Sequence, residues 1–457
     1  MTGFTVLILA AGQGTRMCSD RPKVLHELAW LPILQHVIHA ARSLDPEKIL
    51  VVSGHGAEQV EQAFSGQGLS WVRQEEQKGT GDAVRCALPS LQAQSGNLLI
   101  LAGDIPLIRA EILGQLYHSH SESGRPLSLL STTLTHPAGY GRVVRGLDGQ
   151  VQAIIEDRDA NAEVRTICEI NSGIYMVSLS HLSGWIHRLK NENVQGEYYL
   201  PDIVTMALGE GGVNAVHHED FQSLEGINDR SQLARAEVVF RNRMVAKLMI
   251  SGVTFTDPSS CWLAHDIKIG RDTVIAPHCI LGPGVDIGPN CHIGPFCHLE
   301  ESNIGPGVHI ESFSHLNGAK VLGHNSVGPY ARLRPGALLE RGSKVGNFCE
   351  IKKSRIGEES KVSHLAYIGD ADIGRKVNVG AGTITCNYDG KNKHKTVIED
   401  GVFIGSDTQL IAPVRLGKNA VIAAGTSVSK DVPEGALAIT RTLQKHIPDW
   451  HERKKKS

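Results

Sequence analysis

Up to about residue 228 the chain alternates short apolar runs with amphipathic ones. FTVLIL (Phe4–Leu9), KILVVSG (Lys48–Gly54) and NLLILAGD (Asn97–Asp104) carry the uninterrupted apolar pattern of strands buried on both faces. PILQHVIHAARSL (Pro32–Leu44) and GDAVRCALPSL (Gly81–Leu91) have helical spacing instead. This alternation predicts an α/β, Rossmann-like unit with a largely parallel sheet, whose ligands bind beyond the carboxyl ends of the strands. Neither Gly nor Pro occurs from Asn228 to Ser251, the composition of one long helix and a natural connector. The expected domains are therefore 1–228, a linker helix over 229–251, and 252–457.

Beyond the connector the period changes. Aliphatic residues recur every six positions from Ile269 through Ile275, Leu281, Ile287 and Ile293 to Leu299, again from Leu333 to Ile351, and again from Ile398 to Val428. Turn formers (Gly, Pro, Asn, Asp) lie between them. A hexapeptide period is the signature of a parallel β-helix, in which each coil buries its aliphatic positions only by stacking on the next. The pattern resembles the left-handed β-helix transferases, in which three hexapeptides make one triangular coil of about 18 residues, so residues that far apart should stack at the strand spacing of ~4.8 Å. Arg334 and Lys352 form such a pair, each directly after an inward residue. Two stacked cations repel, and an anion such as a sugar phosphate would resolve the repulsion; a solvated basic pair is the plainer alternative. Ser406 and Ala424 form a second pair, with Arg441 close to one coil further on, a line of small residues ending in a cation that suits a long thin ligand carrying a phosphate. Gly382–Thr396 (GTITCNYDGKNKHKT) breaks the rhythm and is expected to project as a loop, with Asn387, Tyr388 and Lys393 as its contact residues.

Composition narrows the classes further. At 457 residues the chain exceeds one core, and 46 Lys and Arg against 48 Asp and Glu leave no general pull toward nucleic acid or membrane. Nine cysteines with no Cys-x-x-Cys pair fit neither a disulfide framework nor a zinc site. The opening apolar run lacks a basic leader and a small-residue cleavage site, and no stretch is long enough to span a bilayer, so a cytoplasmic protein is expected. The basic ending HERKKKS reads as a solvated tail.

Candidate chemistry begins at LILAAGQGTRMCSDRPK (Leu7–Lys23). It lacks the Lys-Ser/Thr of a P-loop and the third Gly of a dinucleotide fingerprint. What remains is a strand running into Gly12 and Gly14, whose bare backbone N–H groups suit an anion, with Arg16 and Lys23 supplying positive charge.

With this segment followed by hexapeptides, the chain resembles the sugar-nucleotide pyrophosphorylases. Within them it resembles the bifunctional N-acetylglucosamine-1-phosphate uridyltransferase / glucosamine-1-phosphate acetyltransferase family over nearly its whole length. That resemblance implies two sites. In the first, Leu9, Ala10, Ala11, Gly12, Arg16 and Lys23 meet UTP, and Gln74, Gly79 and Thr80 of QEEQKGTGDAV meet the uracil. Asp104 of AGDIPL, after Ala102 and Gly103, and Asn228 of GIND match the Mg²⁺ ligands; Gly141, Glu156 and Asn171 match the sugar-binding positions. In the second, His364 matches the catalytic base, a role suited to histidine near neutral pH. Arg334, Lys352, Tyr367 and Asn378 match the sugar-phosphate positions, and Ala381, Asn387, Tyr388, Ser406, Ala424 and Arg441 those around acetyl-CoA. Ala102 stands where the family often has Tyr, and Ser172 where Thr is common.

The implied activity is acetylation of glucosamine-1-phosphate by acetyl-CoA followed by uridylyl transfer from UTP, giving UDP-N-acetylglucosamine, a cell-envelope precursor, in a homotrimer. Two other readings fit the pattern: a nucleotidyltransferase whose β-helix is only an oligomerisation or regulatory scaffold, and an interaction protein with two decayed sites.

Overall fold

The computed structural model describes residues 3–91, 96–441 and 443–454, and it divides into two compact units, Met1–Phe240 and Arg241–Ser457. The end of the basic tail lies outside the described residues. The division falls inside the helix Arg230–Ile250, which begins one residue later than the expected connector and ends one earlier.

In the first unit the sheet order runs Val213–His217, Leu127–Thr133, Glu169–Ser178, Asn97–Ala102, Phe4–Leu9, Lys48–Ser53, Ser70–Arg73. Glu169–Ser178 pairs antiparallel with both of its neighbours, and the other pairs on this path are parallel. The central strands Phe4–Leu9, Lys48–Ser53 and Asn97–Ala102 are largely apolar because both faces are covered. Val6 and Ile8 point into one core with helix Ile33–Arg42, while Leu7 points into another with helices Thr80–Leu91 and Leu179–Arg188. Phe4–Leu9 and Asn97–Ala102 lie side by side and parallel, so the Gly-rich segment and Asp104 emerge at the same sheet edge. The Gly-rich turn leads into a single 3₁₀ turn, Thr15–Met17, rather than a long helix.

The second unit is a left-handed three-faced prism. Strands of two to four residues stack into three parallel sheets, here the first (Thr254–Phe255 to Leu437–Ala438), second (Trp262–Leu263 to Ser427–Val428) and third face (Lys268–Ile269 to Val414–Leu416). The six-residue aliphatic positions are buried as expected, save that Ile269 in the first coil is half-buried. The coil length is not uniform. Leu333 pairs with Ile351, 18 residues on, but Ile287 pairs with Ile304 and Ile351 with Ile368, each 17 on.

The shortened coils lose their residue at the corner between the second and third faces, where Ser302 or Ser354 bridges to the alanine of the equally short corner above it. Ser302 and Ser354 donate to the carbonyls of Glu300 and Lys352 (2.7 and 2.8 Å) and accept from the backbone N–H of Ala319 and Ala371 in the next coil (3.2 and 2.9 Å). The interrupting segment is also shorter than the sequence suggests. Ile384–Cys386 remains a strand of the second face with Thr385 buried in the aliphatic position, so the projection begins at Asn387.

Replacing Ser354 by Ala leaves the buried N–H of Ala371 without its side-chain acceptor, a loss of about 1–3 kcal/mol. The β-helix transition in urea should move to a correspondingly lower midpoint, and an unchanged midpoint would show that the corner closes without the hydroxyl.

Candidate active sites

The first unit holds a cavity of about 760 Å³ at the carboxyl ends of its central strands. Of the nucleotide and sugar positions expected from sequence, Leu9, Ala10, Ala11, Gly12, Lys23, Gln74, Gly79, Thr80, Ala102, Asp104, Gly141, Glu156, Asn171 and Asn228 all line it. Two do not. Gly103 packs beneath, its N–H on the carbonyl of Leu9 (2.8 Å) and its Cα so close to Ala10 that a Cβ would come within 3.1 Å of that side chain. Arg16 is exposed and does not line the cavity, although its charge acts on the phenol of Tyr140, which does.

The geometry follows from local backbone demands. Gly14 sits at φ +64°, and a Cβ there would lie 2.6 Å from the Cβ of Lys23, so the missing side chain lets the turn close over the lysine. Gly79, at φ +101°, brings the start of helix Thr80–Leu91 against the carbonyl of Tyr198. Gln74 is buried, and its amide donates to the carbonyl of Gly79 (3.1 Å) and to Asp82 (2.9 Å).

At the floor the Lys23 ammonium lies 2.6 Å from Asp104 Oδ2 and 3.2 Å from Asn228 Oδ1. Three residues far apart in sequence thus converge, with two hard oxygen donors already turned toward one positive charge. Such a donor pair fits Mg²⁺, which takes few protein oxygens and completes its shell with water and phosphate. Among the described residues no cluster of three His, Cys, Asp or Glu is arranged to hold a metal by itself.

The other end of the cavity is unusually acidic. Glu156 is pushed up to about 7, first by burial and then by Asp159, Asp202, Asp157 and Glu197 around it. Asn171 beside it donates to the hydroxyl of Tyr175 (2.6 Å). Tyr140 and Glu197 also line the cavity, and neither stood out in the sequence. Burial pushes the Tyr140 phenol up to about 12.

On the prism the C-terminal edge of the first face turns into the second through one residue column. Leu365, Gly382, Asp407 and Gly425 donate their N–H groups to the carbonyls of Asn347, His364, Ala381 and Ser406 (3.0, 3.4, 2.7 and 2.9 Å). His364, Ala381, Ser406 and Ala424 therefore stand one above the other, with Arg441 just past the coil that pairs over Ala424. The coil step of 17 places Asn347 under His364, a neighbour that an 18-residue spacing misses. Asn347 Oδ1 accepts from His364 Nδ1 at 2.6 Å, which leaves Nε2 with its lone pair free to accept a proton.

On the second face Arg334 and Lys352 stack as expected, with the Arg334 N–H on the carbonyl of Ile351 (2.8 Å). Their anion is partly present already, because Glu350 Oε1 lies 2.7 Å from the Arg334 guanidinium. Lys352 is held below the usual lysine range by the Lys393 ammonium beside it and, more weakly, by Arg334. Lys393 arrives there because the loop folds back on itself with Tyr388 opposite Lys393. Gly369 pairs with Lys352, and the Tyr367 hydroxyl lies where a Cβ of residue 369 would be, so the ring reaches from the histidine edge toward the cations. Asn387 donates to Asp370 at the same corner. Asn378 is not part of this cluster: it pairs with Lys361 on the first face.

Two units of this kind define a nucleoside-triphosphate transferase joined to a hexapeptide-repeat transferase. The family described as MobA-like NTP transferase domain matches residues 6–169, and bacterial transferase hexapeptide (six repeats) matches 266–301 and 395–430. Relatives match over the full length. The Bifunctional protein GlmU of Trichlorobacter lovleyi is 48% identical over 446 residues, covering 97% of each chain. That of Marinobacter nauticus is 45% identical over 456 residues, 100% of both, and that of Bordetella parapertussis 48% over 459 residues, 99% of this chain and 100% of the relative. The chain belongs to the family of bifunctional GlmU proteins.

Because folded Glu156 holds its proton more tightly than the unfolded chain, the first unit loses stability as pH rises from about 4.5 to about 7 and levels off above. The loss is on the order of 3 kcal/mol. Glu156→Gln should remove it, leaving the variant more stable than the parent at pH 8 and nearly equal at pH 4.5. Parallel denaturation curves at all pH values would contradict the burial of an ionising carboxyl.

Proposed function

We propose that the chain acetylates glucosamine-1-phosphate with acetyl-CoA on the prism and then, in the cavity of the first unit, joins the N-acetyl product to UTP, releasing UDP-N-acetylglucosamine and pyrophosphate. The observation that carries the acetyl half is the column His364–Ala381–Ser406–Ala424, which sets a proton acceptor at the foot of a line of small residues. A thin thioester lying along that line would bring its carbonyl to the histidine.

In the acetyl step Nε2 of His364 takes a proton from the sugar ammonium, and the free amine attacks the thioester carbonyl. The C–N bond forms and the C–S bond breaks, the nitrogen gives its second proton to the departing thiolate, and the imidazolium releases the first to solvent. Asn347 holds the imidazole in the tautomer that can do this. Arg334, Lys352 and Lys393 hold the phosphate, with Tyr367 spanning from the cations to the base.

In the uridylyl step the sugar phosphate attacks the α-phosphorus of UTP in line and pyrophosphate leaves. Lys23 and the N–H groups around Gly12 and Gly14 hold the triphosphate, Gln74 faces the base, and Glu156 and Asn171 hold the sugar; positioning supplies much of the rate. Asp104 and Asn228 would hold Mg²⁺, which supplies charge neutralisation on the phosphate oxygens. UTP and acetyl-CoA are cytoplasmic metabolites, and the reaction is assigned there; among the described residues no helix is long and apolar enough to cross a membrane.

A homotrimer is supported by an aromatic stack along the same corner as His364. Phe296, Phe313, Tyr330 and Phe348 stack at centroid distances of 5.0, 4.9 and 5.2 Å, each about half exposed and each in the left-handed backbone region. Large side chains rarely accept that conformation, and a row of them facing water is unfavourable unless another copy covers it. The placement of Asn378 on a different face from Lys352 supports the same reading, since a second copy would have to bring the two together.

His364→Ala should lower thiol release from acetyl-CoA by about 10²–10⁴-fold while leaving pyrophosphate formation from N-acetylglucosamine-1-phosphate intact. Asp104→Ala should do the reverse, by about 100-fold or more. Unchanged thiol release in the first variant would leave the prism as a scaffold only. Tyr330→Glu should yield monomers in sedimentation and lose thiol release alone; a trimer that tolerates the buried charge would put the stack outside the interface.

A further inference from the structure

The residues that hold Asn228 in place extend the uridyl site beyond its oxygen donors. Asn228 immediately precedes the cap of helix Arg230–Ile250, which opens with a reciprocal pair: Asp229 Oδ1 accepts from Gln232 N at 2.7 Å, and Gln232 Oε1 accepts from Asp229 N at 3.2 Å. The Asp-x-x-Gln spacing is that of a capping box. An ordinary box stops there. Here the same carboxamide oxygen reaches one residue further back and accepts from Asn228 N at 2.7 Å, its shorter bond.

The backbone of Asn228 is thereby held from behind while its side chain faces Lys23, with Oδ1 3.2 Å from the ammonium and Nδ2 directed at the carbonyl of Gly226 (3.4 Å). Arg230, the first residue of the helix, donates its Nε to the carbonyl of Met17 (3.1 Å), so this helical turn also holds the 3₁₀ turn that follows the Gly-rich segment. Gln232 itself does not line the cavity.

We propose that Gln232 is a positioning residue for the uridyl site: by fixing the backbone of Asn228 it presents that residue's oxygen to the divalent cation and so sets the cation's affinity. The inference rests on the reading of Asp104 and Asn228 as the cation's donors. A cap alone would stabilise the helix without any bond to Asn228. Outer partners of metal donors, by contrast, typically change affinity by about 10–100-fold when removed.

The test uses the full chain with UTP, Mn²⁺ as the probe and electron paramagnetic resonance to count free ion. Gln232→Ala should weaken Mn²⁺ binding about 10-fold and raise the Mg²⁺ needed for half-maximal pyrophosphate formation by a similar factor, with thiol release unchanged. Gln232→Glu keeps an acceptor oxygen at the same reach and should restore both. Asn228→Ala is the reference. If it leaves Mn²⁺ binding unchanged, the donor reading fails and the proposal with it. If Asn228→Ala weakens binding but Gln232→Ala does not, Gln232 is a helix cap only and the proposal alone is overturned. Weakening by Gln232→Ala that the Glu variant fails to reverse overturns it as well, because the lost acceptor would not be the cause.

Discussion

The prism depends on one constraint: every coil must pair its backbone with the coils above and below while turning an aliphatic side chain inward at each strand. A coil alone buries nothing, because its strands are two to four residues long and its interior is open at both ends. Stacked, the coils satisfy the backbone through parallel pairing, and the interior closes into a continuous core from Val253 to Val432. The constraint fixes the inward positions tightly and leaves the corners free. A coil can lose a residue at a corner, and at two of these corners the hydroxyls of Ser302 and Ser354 accept a backbone N–H of the next coil.

That freedom at the corners explains what the sequence made legible. The aliphatic period and the α/β alternation revealed both architectures and the stacking of Arg334 on Lys352, because all of them lie on strands where register is rigid. The relation of His364 to Ala381 and Ser406 was hidden. Those residues belong to one column, but the steps between them are a short coil of 17 and a coil lengthened by the loop after Cys386. Counting by 18 from His364 lands on Gly346, whereas the structure puts Asn347 beneath it. The signal was present in the spacing of Ile351, Ile356, Val362 and Ile368, whose five-residue step marks the shortened corner.

In the first unit the limits were different. Strand ends placed Gly12 and Asp104 together, since parallel neighbours deliver their carboxyl ends to one edge. Asp157 and Asp159 are local to Glu156, but nothing local could reveal Glu197 and Asp202 beside it, because they come from a segment distant in sequence. Arg16 shows that proximity in sequence does not fix placement: two residues after Gly14, it is not part of the cavity wall that Gly14 helps to line. The 3₁₀ turn rotates it outward, whereas Lys23, seven residues further, returns beneath the turn because Gly14 has no side chain to exclude it.

The two sites treat cations in opposite ways, and the difference follows from where each lies. Lys23 is nearly buried, so an unpaired charge there would be costly, and the fold supplies Asp104 and Asn228 as partners. On the proposed function, a ligand phosphate would share or displace those partners. Lys352 lies on an open face where solvent tolerates crowding, and the fold sets Lys393 and Arg334 beside it, offset in part by Asp370 near Lys352 and by Glu350 on Arg334. Each like-charged contact there is weak because water screens it. Their sum is nonetheless directional: an anion arriving among them removes repulsion as well as gaining attraction, and it does so without any backbone movement, because the coils that carry Arg334 and Lys352 are already held in register.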